Sequence, residues 1–205
     1  MRAMFFTISC MVIIGATLLT SCQKEIDGAV NGVIVPVEKK PKLGTTWKYV
    51  YTRYYSSGPA IFSYFVTYKA VSEEEYGGEK WLNLVDSATN ITVFLLNVKA
   101  DGLYQYTNNN AYILCKYPAA INETYNTYNG GPEDFTVKGV NDSIPTGING
   151  LKVNFYEGVI GGDIIDRIWY NDNVWIARKY LFKRQVLSPF IYYRYETWVL
   201  QKITY

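Results

Sequence analysis

From residue 44 onward the chain alternates. In GTTWKYVYTRYY, Trp47, Tyr49 and Tyr51 interleave with Lys48, Val50 and Thr52. That is the two-residue period of a strand showing different faces to different surroundings. Comparable stretches recur with turn residues between them: IFSYFVTYKAV (61–71), WLNLVD (81–86), ITVFLLNV (91–98), LYQY (103–106), AYILCKY (111–117), DFTVKGV (134–140), LKVNFYE (151–157), IIDRIWY (164–170), VWIARKYLF (174–182) and IYYRYETWVLQKITY (191–205). The charged Gly-Gly stretch EEEYGGEK reads as a turn, and its glycines rule it out as a stable helix. Asp101-Gly102 is the strongest hairpin signal and Asn149-Gly150 the next. The uninterrupted run TVFLLNV implies burial on both faces in the middle of a sheet. No longer window holds a helical period. The pattern predicts an all-β chain, an antiparallel meander of about ten strands curled into an open or half barrel, with a β-sandwich as the alternative.

The first 43 residues have a different texture. MRAMFFTISCMVIIGATLLTSC opens with Arg2, continues as an apolar run from Met4 to Leu19, and reaches Cys22 through the small residues Thr20 and Ser21. The run is too short and too soon polar to span a membrane, and reads as a signal-peptide core over residues 1–21. The segment LTSC resembles the lipobox of bacterial lipoproteins. That resemblance implies cleavage before Cys22, a diacylglycerol thioether on its thiol and a third acyl chain on its amine. Several acyl chains give stable anchoring where one does not. Lys24, Glu25 and Asp27 behind the anchor are similar to the signal that sends Bacteroidota lipoproteins to the outer face of the outer membrane. Residues 22–43 carry Gly28, Gly32, Pro36, Pro41 and Lys39-Lys40, and read as a tether with room for a short strand at Val33 to Val37. Residues 44–205 then form one domain, long enough to fold by packing alone.

Composition narrows the chemistry. The chain has 20 basic and 18 acidic residues and no histidine, so neither a nucleic-acid surface nor a His-dependent triad or zinc site is indicated. No phosphate-binding glycine motif occurs, and no cofactor is expected. Of three cysteines, Cys10 leaves with the signal and Cys22 takes lipid. Cys115, in an apolar run, reads as a core residue. Carboxylate catalysis needs only two acidic groups. Asp163 and Asp166 are the pair considered, with Asp166 on the face of Ile164, Ile168 and Tyr170; an ion pair with Arg167 or Arg178 is the plainer reading. Glu73 to Glu75 read as solvated turn, and Asn171-Asp172-Asn173 as an Asx turn rather than a calcium loop. Asp86-Ser87-Ala88 and Asp142-Ser143-Ile144 resemble the Bacteroidota O-glycosylation motif, which makes Ser87 and Ser143 candidate acceptors in loops.

Gly44, Trp47 and Tyr49, the D-G-L-Y hairpin at Asp101 to Tyr104, Tyr117-Pro118, and the strand–turn–strand RIWYNDNVWIARKY together resemble a group of small Bacteroidota lipoproteins. Many of these look like the lipoprotein-carrier (Lol-like) half-barrel. The resemblance implies that fold and no established activity.

The aromatic content is the remaining anomaly: 20 Tyr, 9 Phe and 5 Trp. In IYYRYETWVLQKITY both strand faces are aromatic, and a closed core needs only one. Tyr170, Trp175, Tyr193 and Trp198 are therefore the candidate ligand-binding aromatics. The expected function is a non-catalytic, lipid-anchored binding or interaction module of the cell envelope. Its partners would be the membrane and an apolar ligand held in the curved sheet. A surface carbohydrate-binding lipoprotein is the alternative, and a carboxylate glycosidase the third reading.

Overall fold

The computed structural model describes residues 40–55, 60–128, 132–160, 163–187 and 190–205. The signal segment, Cys22 and the tether up to residue 39, including Val33 to Val37, lie outside the described residues.

The described residues form twelve antiparallel strands: β1 (Thr46–Tyr55), β2 (Ala60–Tyr76), β3 (Glu79–Asp86), β4 (Thr92–Lys99), β5 (Gly102–Thr107), β6 (Asn110–Lys116), β7 (Thr124–Tyr128), β8 (Pro132–Ser143), β9 (Lys152–Ile160), β10 (Asp163–Asn171), β11 (Trp175–Leu187) and β12 (Phe190–Thr204). The expected meander is present. Each strand pairs with its sequence neighbours, β1 pairs with β12, and the two ends of the ladder are β6 and β7. The β1–β12 pairing runs from Thr46↔Thr204 to Tyr55↔Arg194. The sheet is thus a nearly closed barrel, further round than a half barrel, with one seam.

Side chains seal that seam where the backbone ladder stops. Tyr125 Oη donates to the Leu114 carbonyl at 3.0 Å, Tyr112 stacks on Tyr128 at 5.1 Å, and Lys116 pairs with Glu123. β7 is the strand the sequence pattern misses. TYNTY offers only Tyr125 and Thr127 to the inside, between asparagines, and has no apolar run to announce it.

Turns follow local chemistry. Gly77 and Gly78 have φ of 62° and 77° and join β2 to β3, as a two-residue hairpin with positive φ at both centres requires. Asn108 and Asn109, at 50° and 59°, do the same for β5 and β6. Glu73 to Glu75 belong to β2, not to the turn. The Asp101-Gly102 signal is sound, with Lys99 opposite Gly102. The Asn149-Gly150 signal falls in a longer β8–β9 loop. Around the β10–β11 turn, Asn171 Oδ1 accepts from the backbone of Asn173 at 2.8 Å and Val174 at 3.2 Å, which is the expected Asx turn.

The inward row is read off the ladders: Trp47, Tyr49 and Tyr51 face Tyr68, Val66 and Tyr64 on β2 and Ile203, Leu200 and Trp198 on β12. At the end where β1 begins and β12 finishes, this row joins a continuous core with Leu84, Leu96, Leu103, Cys115, Phe135, Tyr156, Ile168, Trp175 and Ile148. β4 departs from the sequence reading, since Leu96 is buried inward while Val93 and Leu95 are only half-buried outside. The outward aromatics are paired and capped by cations. Phe155 stacks on Trp169 at 4.8 Å under the Arg178 guanidinium at 4.9 Å, and Phe182 stacks on Tyr193 at 5.4 Å. Two aromatic rows therefore coexist because rings of the outer one stack on cross-strand partners or lie under cations, although Phe65 and Tyr193 stay 60% and 38% exposed.

Candidate functional site

The interior differs between the two ends of the barrel. At the end carrying Lys40 and the β10–β11 turn it is filled. Trp47 stacks on Trp175 at 5.5 Å and donates its indole N–H to the Val174 carbonyl at 2.8 Å. Tyr49 Oη donates to the Ile176 carbonyl at 2.8 Å, and burial pushes its hydroxyl well above the ordinary tyrosine range. The gap left among Trp47, Tyr49, Tyr68, Leu84, Phe94, Leu96, Trp175 and Ile176 is about 10 Å³. That is about the space of one water and far below an acyl chain.

Toward the opposite end the same inner wall becomes aromatic and charged. Arg53 stands opposite Phe62 on β2 and opposite Glu196 on β12. Tyr51 is in ring contact with Tyr64 at 5.1 Å and with Trp198 at 4.9 Å, and Phe62 stacks on Tyr64 at 5.8 Å. The Arg53 guanidinium lies 4.7 Å over Phe62, 3.1 Å from the Glu196 carboxylate, and donates to Tyr51 Oη at 3.1 Å. Arg194 approaches the same carboxylate at 3.0 Å. Burial first, then the bond to Glu196, pushes the Tyr51 hydroxyl up to about 12. Two guanidiniums share one carboxylate, so the patch carries a net positive charge. Phe62 is 36% exposed and Tyr64 54% exposed. These rings are the uncovered part of the inner row.

The four aromatics singled out from sequence do not share one surface. Trp198 lies on the aromatic platform. Trp175 and Tyr170 are buried in the filled end, and the Tyr170 hydroxyl donates to Asp172 at 3.2 Å. Tyr193 faces outward on Phe182, because residues five apart on a strand point to opposite faces. Phe62 and Tyr64 escape the sequence reading. Their signal is the alternation in IFSYF, which becomes informative only once β2 is set in register against Tyr51 and Arg53.

Of the two acids weighed for catalysis, the Asp163 side chain lies outside the described residues. Asp166 is fully buried. The arginines expected to pair with it are engaged elsewhere: Arg167 binds Glu157 at 3.1 Å on the outer face, and Arg178 covers Trp169. The partner that sequence does not suggest is Glu133 on β8. Cys115 is buried and burial raises its thiol well above the usual range, so it is inert. Ser87 sits in the exposed β3–β4 turn. Ser143 is exposed but is the last residue of β8 and accepts from Lys152 Nζ at 2.8 Å. Among the described residues no group of three or more cysteine or carboxylate side chains is placed to hold a metal ion.

Clefts of other kinds lie elsewhere. One of about 280 Å³ lies between the β8–β9 loop and the β10–β11 turn. Two more lie near Lys40: one of about 290 Å³ is formed by Lys40, Pro41 and Lys42 against β3 and β4, and one of about 250 Å³ lies beside Lys40 and Asp172. Both border the segment that leads into the barrel, and Lys40 is held there by Asp172 at 2.7 Å. Tyr117, 40% exposed, edges the second of them, but it meets the buried Tyr170 edge-on at 5.9 Å; none of these clefts offers two adjacent exposed rings, so the platform at the other end is the better ligand candidate.

No family model matches the chain, and no curated protein matches it. A crystallised candidate lipoprotein from Parabacteroides distasonis ATCC 8503 aligns over 81% of this chain and 97% of its own, at 15% identity and a TM-score of 0.34. So distant a likeness carries no argument about fold or function.

Proposed function

We propose that this protein is a non-catalytic, lipid-anchored binding module of the cell envelope whose ligand is a glycan. The observation that carries the ligand class is the pair of exposed rings, Phe62 and Tyr64, on the inner wall beside Arg53 and Glu196. A pyranose presents an apolar face to an aromatic ring and hydroxyls at its rim. The guanidiniums and carboxylate supply donors and acceptors in the same place. The filled end argues against the apolar ligand first expected, because an acyl chain needs a cavity that Trp47 and Trp175 already occupy.

Titration with a panel of neutral and acidic oligosaccharides and fatty acids tests the ligand class. Tyr64→Ala is expected to weaken glycan binding about tenfold, or about 1.4 kcal/mol. Binding of fatty acids alone would overturn the glycan reading.

Anchoring rests on the LTSC segment and its cysteine. Cys22→Ala is expected to move the protein from the membrane to the soluble fraction. A membrane-bound Cys22→Ala chain, or mass spectrometry showing Met1 intact, would contradict it.

A further inference from the structure

We propose that Glu133 and Asp166 form a proton-binding site inside the barrel, a single proton shared between the two carboxylates with Lys179 as their countercharge. Asp166 on β10 stands opposite Gly158 on β9, which stands opposite Phe135 on β8. Glu133, two residues before Phe135, shares its inward face. The ladder thus brings the two acids to one wall, diagonally across β9. Glu133 is 3% exposed and Asp166 is fully buried. Among the described residues neither oxygen of Glu133 has a donor. Two ionised carboxylates cannot supply one to each other, and burying both charges side by side is costly. Adding one proton resolves this: Glu133 becomes the donor, and Asp166 is the group within its hydrogen-bond reach. One negative charge then remains, and Lys179 on β11, the cation that acts on Glu133, balances it.

The other groups facing this site do not change the count. Tyr125 on β7, Tyr156 on β9 and Cys115 on β6 are all held neutral by burial. Thr127 on β7 and Gln105 on β5 carry no charge. Glu196 on β12 is already engaged by Arg53 and Arg194. Asp134 on β8 faces outward and accepts from Asn126.

Burial, and next the Asp166 charge, push the Glu133 carboxyl up to about 8, against the opposing pull of Lys179. Unfolded, the same carboxyl would ionise near 4.5. Folding therefore takes up a proton between those values, and the stability it brings is complete below the lower one and lost as pH rises through the upper. Lys179 pairs in register with Trp198, so loss of the proton leaves a net negative charge next to the aromatic platform. The proton site stands independently of any ligand there.

Infrared difference spectra of the full chain between about pH 6 and about pH 9.5 test it directly. The carbonyl stretch of a protonated carboxyl group is expected at neutral pH, disappearing with a midpoint near 8, and it should be missing from Glu133→Gln. Absence of that band from the folded wild-type chain at neutral pH overturns the proposal, as does its persistence in folded Glu133→Gln. If Glu133→Gln does not fold, the wild-type titration alone decides.

Discussion

Trp47→Ala is expected to cost about 4 kcal/mol of stability or more. The ring is 1% exposed, stacked on Trp175, and flanked in register by Tyr68 and Ile203. Truncation removes one of the two indole rings of the filled end and leaves a cavity among strands already fixed by their ladders. It also leaves the Val174 carbonyl without the indole donor, a penalty of about 1–3 kcal/mol where no water replaces it. For a domain of this size the melting temperature should fall by about 10 °C or more. Trp47→Phe keeps much of the packing and loses the hydrogen bond, so its cost should be clearly smaller. Urea and thermal unfolding of both variants check this. Near-wild-type stability of Trp47→Ala would mean that this end is not packed.

Gly158→Ala should also be clearly destabilising, although it adds only one methyl group. A β-carbon at residue 158 would lie 2.1 Å from Cε1 of Phe135, and Phe135 is fully buried. The ring cannot retreat without displacing the core behind it, and overpacking of this kind costs about 1–3 kcal/mol. The conflict is between two named side chains, so it has a specific cure. Phe135→Leu alone should destabilise. In the Gly158→Ala background it should recover part of the loss, giving a non-additive cycle in chemical denaturation. Strict additivity would show that the two residues do not meet.

The fold was legible where the chain writes alternation against turn residues. Trp47, Tyr49 and Tyr51 announce β1, and Gly77-Gly78 announces a hairpin. The pattern understates β2, which runs on through Glu73 to Glu75, because those carboxylates look like turn. Glu74 in fact accepts from Ser72 and Tyr76 on its own strand and from Asn83 across the ladder. It omits β7, whose inward residues are one tyrosine and one threonine. The site was less legible for a physical reason. A strand's period tells which residues share a face, but not which faces are covered by neighbours. Tyr193 looks as available as Trp198 until Phe182 is seen against it. Tyr170 and Trp175 look like a binding row until Trp47 and Asp172 occupy them. Glu133 and Asp166 are far apart in the chain and meet only through the β8–β9–β10 register. Asn90, Asn122 and Asn141 have φ of 57°, 66° and 60°, the first two in or beside turns and the third at the irregularity in β8; asparagine tolerates that left-handed backbone.

The glycan platform is the central claim, and Trp198 makes it measurable. Trp47 and Trp175 are sealed in the filled end, Trp81 is buried, and Trp169 lies outside under Arg178. Trp198 is the tryptophan on the platform, in contact with Tyr51. The decisive measurement is the oligosaccharide titration read by tryptophan emission, run on the wild type, Tyr64→Ala and Trp198→Phe. The platform predicts a saturable change in the wild type, shifted to about tenfold higher concentration in Tyr64→Ala and extinguished in Trp198→Phe. A saturable change that survives intact in both variants would place the ligand elsewhere on the barrel and contradict it.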